Sequence, residues 1–160
     1  MKTVKAELIK SWDIVFPNDA NPHGTMFGGK VMALMDKAAA IAAARFACKS
    51  VVTASTEGIV FKRPIRVGDR IQVCAKVVWV GNSSMVVRVD VFSEDPQTYE
   101  SLHCTTARFN FVALDRENNP TRVPRLRVES EEEKREWEMA EFVIAQALER
   151  KKRISAYEAD

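Results

Sequence analysis

Apolar and polar positions alternate along much of the chain, and one long segment has the composition of a helix instead. Five segments have the pattern that is typical of strands: residues 3–16, 51–62, 70–80, 85–92 and 102–115. The tight turn GNSS separates the third segment from the fourth, which predicts a β-hairpin. The helical segment begins near Gly28, and eight of the residues from Ala33 to Ala47 are alanine, the strongest helix former.

This order of elements predicts an α+β fold in which five antiparallel strands accompany one long helix. Because alanine side chains are small, a curved sheet can close around such a helix. A lone sheet would leave its other face and its edges uncovered, so we expect the chain to dimerise through the sheet.

A second helix is predicted from Ser130 onwards. Ser130 is a favourable N-cap with Glu133 three residues later, the pattern of a capping box. The basic run at 150–153 suits the last turns of a helix. We expect residues 1–126 to form the main domain and residues 127–160 to form a helical extension that docks or contacts another subunit.

Composition narrows the possible functions. The 160 residues carry a net charge of +2, so a broad basic field for nucleic acid is not expected. Cys48, Cys74 and Cys104 lack the spacing of a disulfide framework, and two histidines offer little for a metal site. The longest apolar run is interrupted by Arg45 and too short to span a bilayer. We expect a reduced cytoplasmic protein with no metal, no nucleic-acid partner and no membrane insertion.

The stretch NPHGTMFGGKVMALMD, from Asn21 to Asp36, holds the candidate chemistry. Gly28 and Gly29 stand where the helix begins, and the free N–H groups of a helix N-terminus can stabilise a developing oxyanion. The alternative is that these glycines only allow close helix–sheet packing. Asn21 precedes a proline, and on that basis alone it is a turn former.

Asp36 is predicted to point at an apolar surface, because its neighbours at three and four residues are small or apolar. Burial of a lone carboxylate is costly and is often retained for function. The alternative is a hydrogen bond to a neighbouring element or a pair with Lys37 or Arg45. Asp36 lies about 12 Å along the helix from Gly28. If both serve one reaction, they should therefore come from different subunits related by a two-fold axis.

Four motifs in order resemble one family. The four motifs are the stretch from Asn21 to Phe46, VVTAS, IVFKRPIRVGD and GNSSM. They are similar to motifs of the hot-dog-fold acyl-CoA thioesterases, in the branch of the cytosolic acyl-CoA hydrolases. The resemblance covers roughly residues 8–126. The tail after VPRL is similar to the C-terminal helical extension of many bacterial members.

The resemblance implies a five-stranded antiparallel sheet around the central helix and hydrolysis of acyl-CoA at sites between two subunits. Asp36 would act as general base or nucleophile opposite Asn21 of the partner subunit, with Gly28 and Gly29 polarising the thioester carbonyl. Dimers would assemble further into a trimer of dimers. No cofactor is implied, since coenzyme A is part of the substrate and the product.

Substrate-binding candidates come from three further regions. Lys62, Arg63, Arg66, Arg70 and Lys76 form a basic cluster in the sequence, suited to CoA phosphates. Hydroxyls in the GNSS turn and in VVTAS could contact pantetheine or the thioester, although a plain hairpin turn and plain packing are the alternatives. The predicted contacts are Phe27, Thr53, Ser55, Arg63, Arg66, Ser83 and Ser84, and Thr53 and Ser55 are expected on one sheet face.

Two rival functions remain open. Hot-dog hydratases and dehydratases use a histidine with an acidic residue, and His103 lies in the last strand instead of on the central helix or its leading loop. A non-enzymatic acyl-CoA or nucleotide sensor is the second rival.

Overall fold

The structure, a computed structural model, describes residues 2–159 and has one antiparallel sheet curved around a central helix. Its elements in chain order are β1 (Thr3–Val4), β2 (Ile9–Ile14), a 3-10 turn (Pro17–Asp19), α1 (Gly28–Ala47), β3 (Ser50–Thr56), β4 (Arg70–Val80), β5 (Ser84–Glu94), β6 (Ser101–Leu114), β7 (Arg125–Leu126) and α2 (Glu131–Glu158). The main sheet has the order β2-β4-β5-β6-β3, and β1 pairs with β7 in a short parallel ladder. The predicted five-stranded sheet around a long helix is confirmed.

The helix α1 lies in the hollow of the sheet because its buried side chains are small. It packs against all five strands of the main sheet, and Ala39 and Ala43 are fully buried on that side. Alanine brings the helix axis close to the strands, while Met35 and Phe46 fill the wider gaps. The helix ends at Ala47 and is capped by Cys48, whose φ of 53° is the left-handed conformation common at helix C-termini.

The helix α2 covers part of the opposite, outer face of the sheet. Ala140 is fully buried against Val78 and Val86, and the rings of Trp79 and Trp137 lie 5.8 Å apart. Ion pairs from one glutamate of α2 to two arginines on the outer face, at β5 and β6, hold its first half in place.

Several predicted boundaries need correction. The predicted strand 51–62 ends at Thr56, and 57–62 follows β6 only through isolated hydrogen bonds, because Gly58 offers no side chain to pack and Pro64 follows. The first segment is interrupted between β1 and β2. Because α2 continues to Glu158, the basic run 150–153 lies before its last turn.

The predicted capping box is present only in part. The Ser130 hydroxyl accepts from Glu133 N at 3.1 Å, as expected. The Glu133 carboxylate accepts from the amide of Glu129 at 3.2 Å, one residue earlier than the capping box requires.

Candidate active site

Asp36 lies on the flank of α1 that faces the edge strand β3. It is half-buried, and the Thr53 hydroxyl donates to Asp36 Oδ1 at 2.7 Å. Arg45, one of the pairing alternatives, instead binds Glu7 at 3.0 Å. Within residues 2–159 no cation forms an ion pair with Asp36, so one carboxylate oxygen is oriented by a hydroxyl and the other remains available.

Asn21 organises the loop that precedes α1. Its Nδ2 donates to Thr25 Oγ1 at 2.8 Å, and its Oδ1 accepts from the backbone N–H of His23 at 2.9 Å and of Thr25 at 3.3 Å. Asn21 is therefore a turn former, as the Asn-Pro pair of the sequence predicts. An amide nitrogen has two N–H donors, and the bond to Thr25 uses one of them, so the second is available to a ligand. The hydrogen bonds between Asn21 and Thr25 could have been suspected from the sequence, because Thr25 follows Asn21 by four residues within a turn-rich loop.

The N-terminus of α1 is open. Its N-cap is Phe27, which supplies no side-chain cap. Across residues 2–159, no oxygen accepts a hydrogen bond from the amides of Gly28 or Gly29. Two aromatic rings stand over these glycines: a Cβ built on Gly28 would lie 3.8 Å from the Phe61 ring, and one on Gly29 would lie 2.8 Å from the Phe27 ring. Both rings are about half exposed. The site thus has free amides beneath apolar walls, while Met35 is fully buried in the core.

A β-bulge in β3 separates two residues that were expected on one face. Thr53 pairs with Phe111 and Ser55 with Asn110, so the register shifts at Ala54. Phe111 is buried beneath α1, whereas Ser55 accepts a hydrogen bond from Asn110 Nδ2 at 2.8 Å on the outer face. The expectation that Thr53 and Ser55 share a face is wrong, because the extra residue of the bulge inverts the alternation.

The RPIR turn runs beside the loop that leads into α1. Thr25 and Arg66 form a β-bridge, and Met26 N donates to Ile65 O at 2.6 Å. Arg63 and Arg66 are exposed there, and no carboxylate among residues 2–159 forms an ion pair with either one. The basic cluster of the sequence is not one patch, since Arg70 binds Glu94 at 3.2 Å and Lys76 lies on the outer face.

The GNSS turn joins β4 to β5 away from Asp36. Gly81 N donates to Ser84 O at 2.8 Å, and Ala113 N donates to Ser83 O at 2.9 Å. Both serines are half-buried, and Ser84 lines a groove under α2 together with Ser55. Within one chain the structure therefore brings Asp36 and Thr53 together. Separately, Asn21 and Arg66 both contact Thr25, while Ser55 and Ser84 lie on the other side of the sheet.

His103 belongs to a polar network on the outer face. Its Nε2 lies 2.8 Å from Thr106 Oγ1 and 3.2 Å from Asp90 Oδ1. The burial of Asp90 tends to raise the pKa of that carboxyl, but hydrogen bonds from Arg88 and Thr106 outweigh it and hold the pKa below its usual value. His103 is therefore an integral strand residue in this network.

Among residues 2–159, no three histidine, cysteine, aspartate or glutamate side chains come together as metal ligands. None of the helices in that range has both the length and the apolar composition needed to cross a membrane.

A long helix enclosed by a curved, five-stranded antiparallel sheet is the hot-dog fold. Residues 23–100 match the family model described as the thioesterase superfamily. An uncharacterized acyl-CoA thioester hydrolase of Bacillus subtilis is 44% identical over 119 residues, which are 74% of this chain and 69% of that protein. The chain belongs to the acyl-CoA thioester hydrolases of this superfamily.

Solved structures agree with this assignment. The acyl-CoA hydrolase of Staphylococcus aureus, in complex with butyryl coenzyme A, coenzyme A and coenzyme A disulfide, has a TM-score of 0.86 at 37% identity and covers 99% of each chain. A hexameric acyl-CoA thioesterase in its apo form has a TM-score of 0.87 at 36% identity, over 96% of this chain and 98% of that chain.

The Staphylococcus aureus enzyme has also been solved as three alanine variants, at an asparagine, an aspartate and a threonine. The first two positions are 15 residues apart and the last two are 17 apart. Asn21, Asp36 and Thr53 have the same spacings in this chain.

Proposed function

We propose that this protein hydrolyses acyl-CoA thioesters to a free carboxylic acid and coenzyme A, at sites formed between two chains. The observation that carries the proposal is Asp36, a half-buried carboxylate oriented by Thr53 and not neutralised by any cation in residues 2–159. A carboxylate held in this way is suited to act as a general base. Support comes from the coenzyme A complexes of the Staphylococcus aureus relative.

The reaction would begin at the open N-terminus of α1. The thioester carbonyl oxygen would accept from the free amides of Gly28 and Gly29, where the helix dipole favours developing negative charge. In the general-base route, Asp36 of the opposite chain takes a proton from water as the water oxygen attacks the carbonyl carbon. The tetrahedral intermediate then collapses, the C–S bond breaks, and the coenzyme A thiolate leaves and is protonated.

A nucleophilic route uses the same residues. The Asp36 carboxylate would attack the carbonyl carbon directly, expel the thiolate and form a mixed anhydride that water then hydrolyses. In both routes Asn21 of the partner subunit orients the water or the thioester through its second amide N–H.

Thr53 would orient the carboxylate of Asp36. Its hydroxyl donates to Oδ1, which fixes the carboxylate rotamer and leaves Oδ2 for the water or the thioester carbon. The matching spacing of an asparagine, an aspartate and a threonine chosen for substitution in the Staphylococcus aureus enzyme supports a shared role for Asn21, Asp36 and Thr53.

We place the second chain along β3. This strand is at the edge of the sheet, and six of its seven residues are exposed. An uncovered edge strand pairs readily with another strand, and pairing here would bring the second chain close to Asp36. A trimer of such dimers is the further assembly we propose, with support from the hexameric relative.

The remaining residues would bind the rest of the substrate. Phe27 flanks the carbonyl position and suits the start of the acyl chain, and Arg63 and Arg66 are exposed and unpaired in the described chain, as a phosphate site requires. Ser55, Ser83 and Ser84 can reach the substrate only from the outer face or from another subunit. We propose a cytoplasmic location, since rat and mouse relatives are named cytosolic.

The test is a thiol-release assay with acyl-CoA esters of several chain lengths. We expect the wild-type chain to release coenzyme A, and Asp36→Ala and Asp36→Asn to lower kcat by at least a thousandfold while circular dichroism stays unchanged. The matched control is Asp13→Asn, an exposed carboxylate on the other edge strand, which should retain wild-type kcat.

Three results would contradict parts of the proposal. Undiminished turnover by Asp36→Ala would reject Asp36 as the catalyst. Tight binding of acyl-CoA by the wild type without any thiol release would favour the sensor, and hydration of an enoyl-CoA would favour the hydratase.

A further inference from the structure

The helix α2 is longer than the face it covers. Its 28 residues correspond to about 42 Å, whereas five strands span about 19 Å from the first to the last. Its buried contacts come from Trp137, Ala140 and Ile144, in its first half. Every residue from Leu148 to Glu158 is exposed. A helical segment of that length without a packing partner has little stability of its own.

Between this exposed segment and the sheet lies an open groove of about 690 Å3, which we call the α2 groove. Its floor is formed by the end of β3 from Ala54 to Thr56 and by Glu57 just beyond it, together with Ser84 at the start of β5 and residues 110–112 of β6. Its walls are largely apolar and include Trp79, Ile144, Leu148 and Ile154. The apolar side chains of α2 therefore point at a space that residues 2–159 do not fill.

The α2 groove is continuous with the edge of the sheet. The strand β3 that forms its floor is hydrogen-bonded to β6 on one side only. Arg150 crosses from α2 to Glu57, the residue that follows β3, with 3.1 Å between Nη2 and Oε2. The helix thus passes over the same edge strand along which we place the second chain, and a chain arriving at that edge meets the groove.

We infer that the α2 groove is occupied by a second copy of this chain, so that the second half of α2 is a clasp across the subunit boundary. This inference rests on the dimer of the proposed function. The length of α2 supports it, because a helix that cannot be buried on its own sheet can be buried once two sheets are joined edge to edge. Leu148 and Ile154 then become interface residues.

The experiment combines amide hydrogen exchange with sedimentation on the full chain. In the wild type, residues 148–158 should exchange slowly at concentrations where the protein is oligomeric and quickly on dilution below dissociation. Ile154→Asp places a charge in the groove and should abolish this protection. Because the substitution acts twice in a symmetric interface, about 1.4 kcal/mol per copy gives a dissociation midpoint about a hundredfold higher.

The matched control is Phe142→Asp. Phe142 is 59% exposed on α2 and does not line the α2 groove, so it should leave both the protection of 148–158 and the dimer midpoint unchanged. Rapid exchange of 148–158 in the wild-type oligomer would overturn the inference, as would equal effects of the two variants or a protected segment in a monomer. An active oligomer with an unprotected clasp would reject the clasp alone, whereas an inactive monomer would reject the proposed function.

Discussion

Replacement of Thr53 by valine isolates one hydrogen bond of the candidate site. Valine keeps the branched shape of threonine and exchanges only Oγ1 for a methyl group, so the bond of 2.7 Å to Asp36 Oδ1 is lost. Valine is also favoured in strands, so β3 should keep its pairing with β6. The variant therefore changes the orientation of the carboxylate with little change in the fold.

The size of the effect follows from the environment of the pair. A hydrogen bond to a charged group contributes about 1.5–3 kcal/mol when it is buried. Asp36 is half-buried and Thr53 is exposed in the single chain, which favours the lower end of that range. Since each 1.36 kcal/mol corresponds to a tenfold change in rate, we expect kcat to fall about 10- to 30-fold. KM should stay constant, because Thr53 acts through Asp36 and not on the substrate.

The thiol-release assay, run with saturating and with limiting acyl-CoA, measures kcat and KM separately. Thr53→Ser restores the hydroxyl and should recover most of kcat. In an Asp36→Asn background, Thr53→Val should cause little further loss, because residues that act as a unit are not additive. A rise in KM at constant kcat would show that Thr53 contacts the substrate, and wild-type values for both parameters would refute the positioning role.

Two further substitutions test other parts of the structure. Gly29→Ala should push the Phe27 ring away, since the added Cβ would lie 2.8 Å from that exposed ring. The kcat/KM for acyl-CoA should then fall several-fold, while the thermal unfolding midpoint stays the same. An unchanged kcat/KM would show that the Phe27 ring does not contact the substrate. Asp90→Asn should destabilise the fold by about 1–3 kcal/mol at neutral pH, because burial, which raises the Asp90 pKa, is outweighed by hydrogen bonds from Arg88 and Thr106 that lower it. A carboxyl with a lowered pKa stabilises the fold above its unfolded pKa, near 3.8, and loses this effect as the pH falls through the folded value. In denaturant titrations, the stability difference between wild type and variant should therefore persist down to about pH 3.8 and shrink only at lower pH. A difference that already shrinks well above that pH, or that does not shrink below it, would contradict this account.

Much of the fold could be predicted from the sequence because its signals are local. The alanine-rich stretch predicts α1 and its start at Gly28, and the alternation on either side of GNSS predicts the hairpin of β4 and β5. The faces of β3 could not be predicted. Strict alternation assigns Thr53 and Ser55 to one face, but the bulge at Ala54 depends on how β3 fits β6, which is a property of the assembled sheet.

The candidate site could be predicted in part for the same reason. Asp36 is identified by its small neighbours on one helix face, which is a local pattern. Its partner Thr53 lies 17 residues away on a strand, and only the folded sheet brings the two side chains together. For Asn21 the local reading, a turn former, is the one its contacts bear out. Its proposed action on the substrate depends on a second chain, which no pattern within one sequence determines.

The bulge in β3 gives this strand two different tasks on its two faces. On the inner face Thr53 orients Asp36, and on the outer face Ser55 and its neighbours form the floor of the α2 groove. Only the thickness of one strand separates the proposed catalyst from the proposed clasp. The hydrogen bond from Thr53 to Asp36 is already formed in the single chain, so assembly is not needed to orient the carboxylate. In the proposed mechanism, dependence on an oligomer comes instead from Asn21 and the N-terminus of α1, which face Asp36 only when a second chain supplies them.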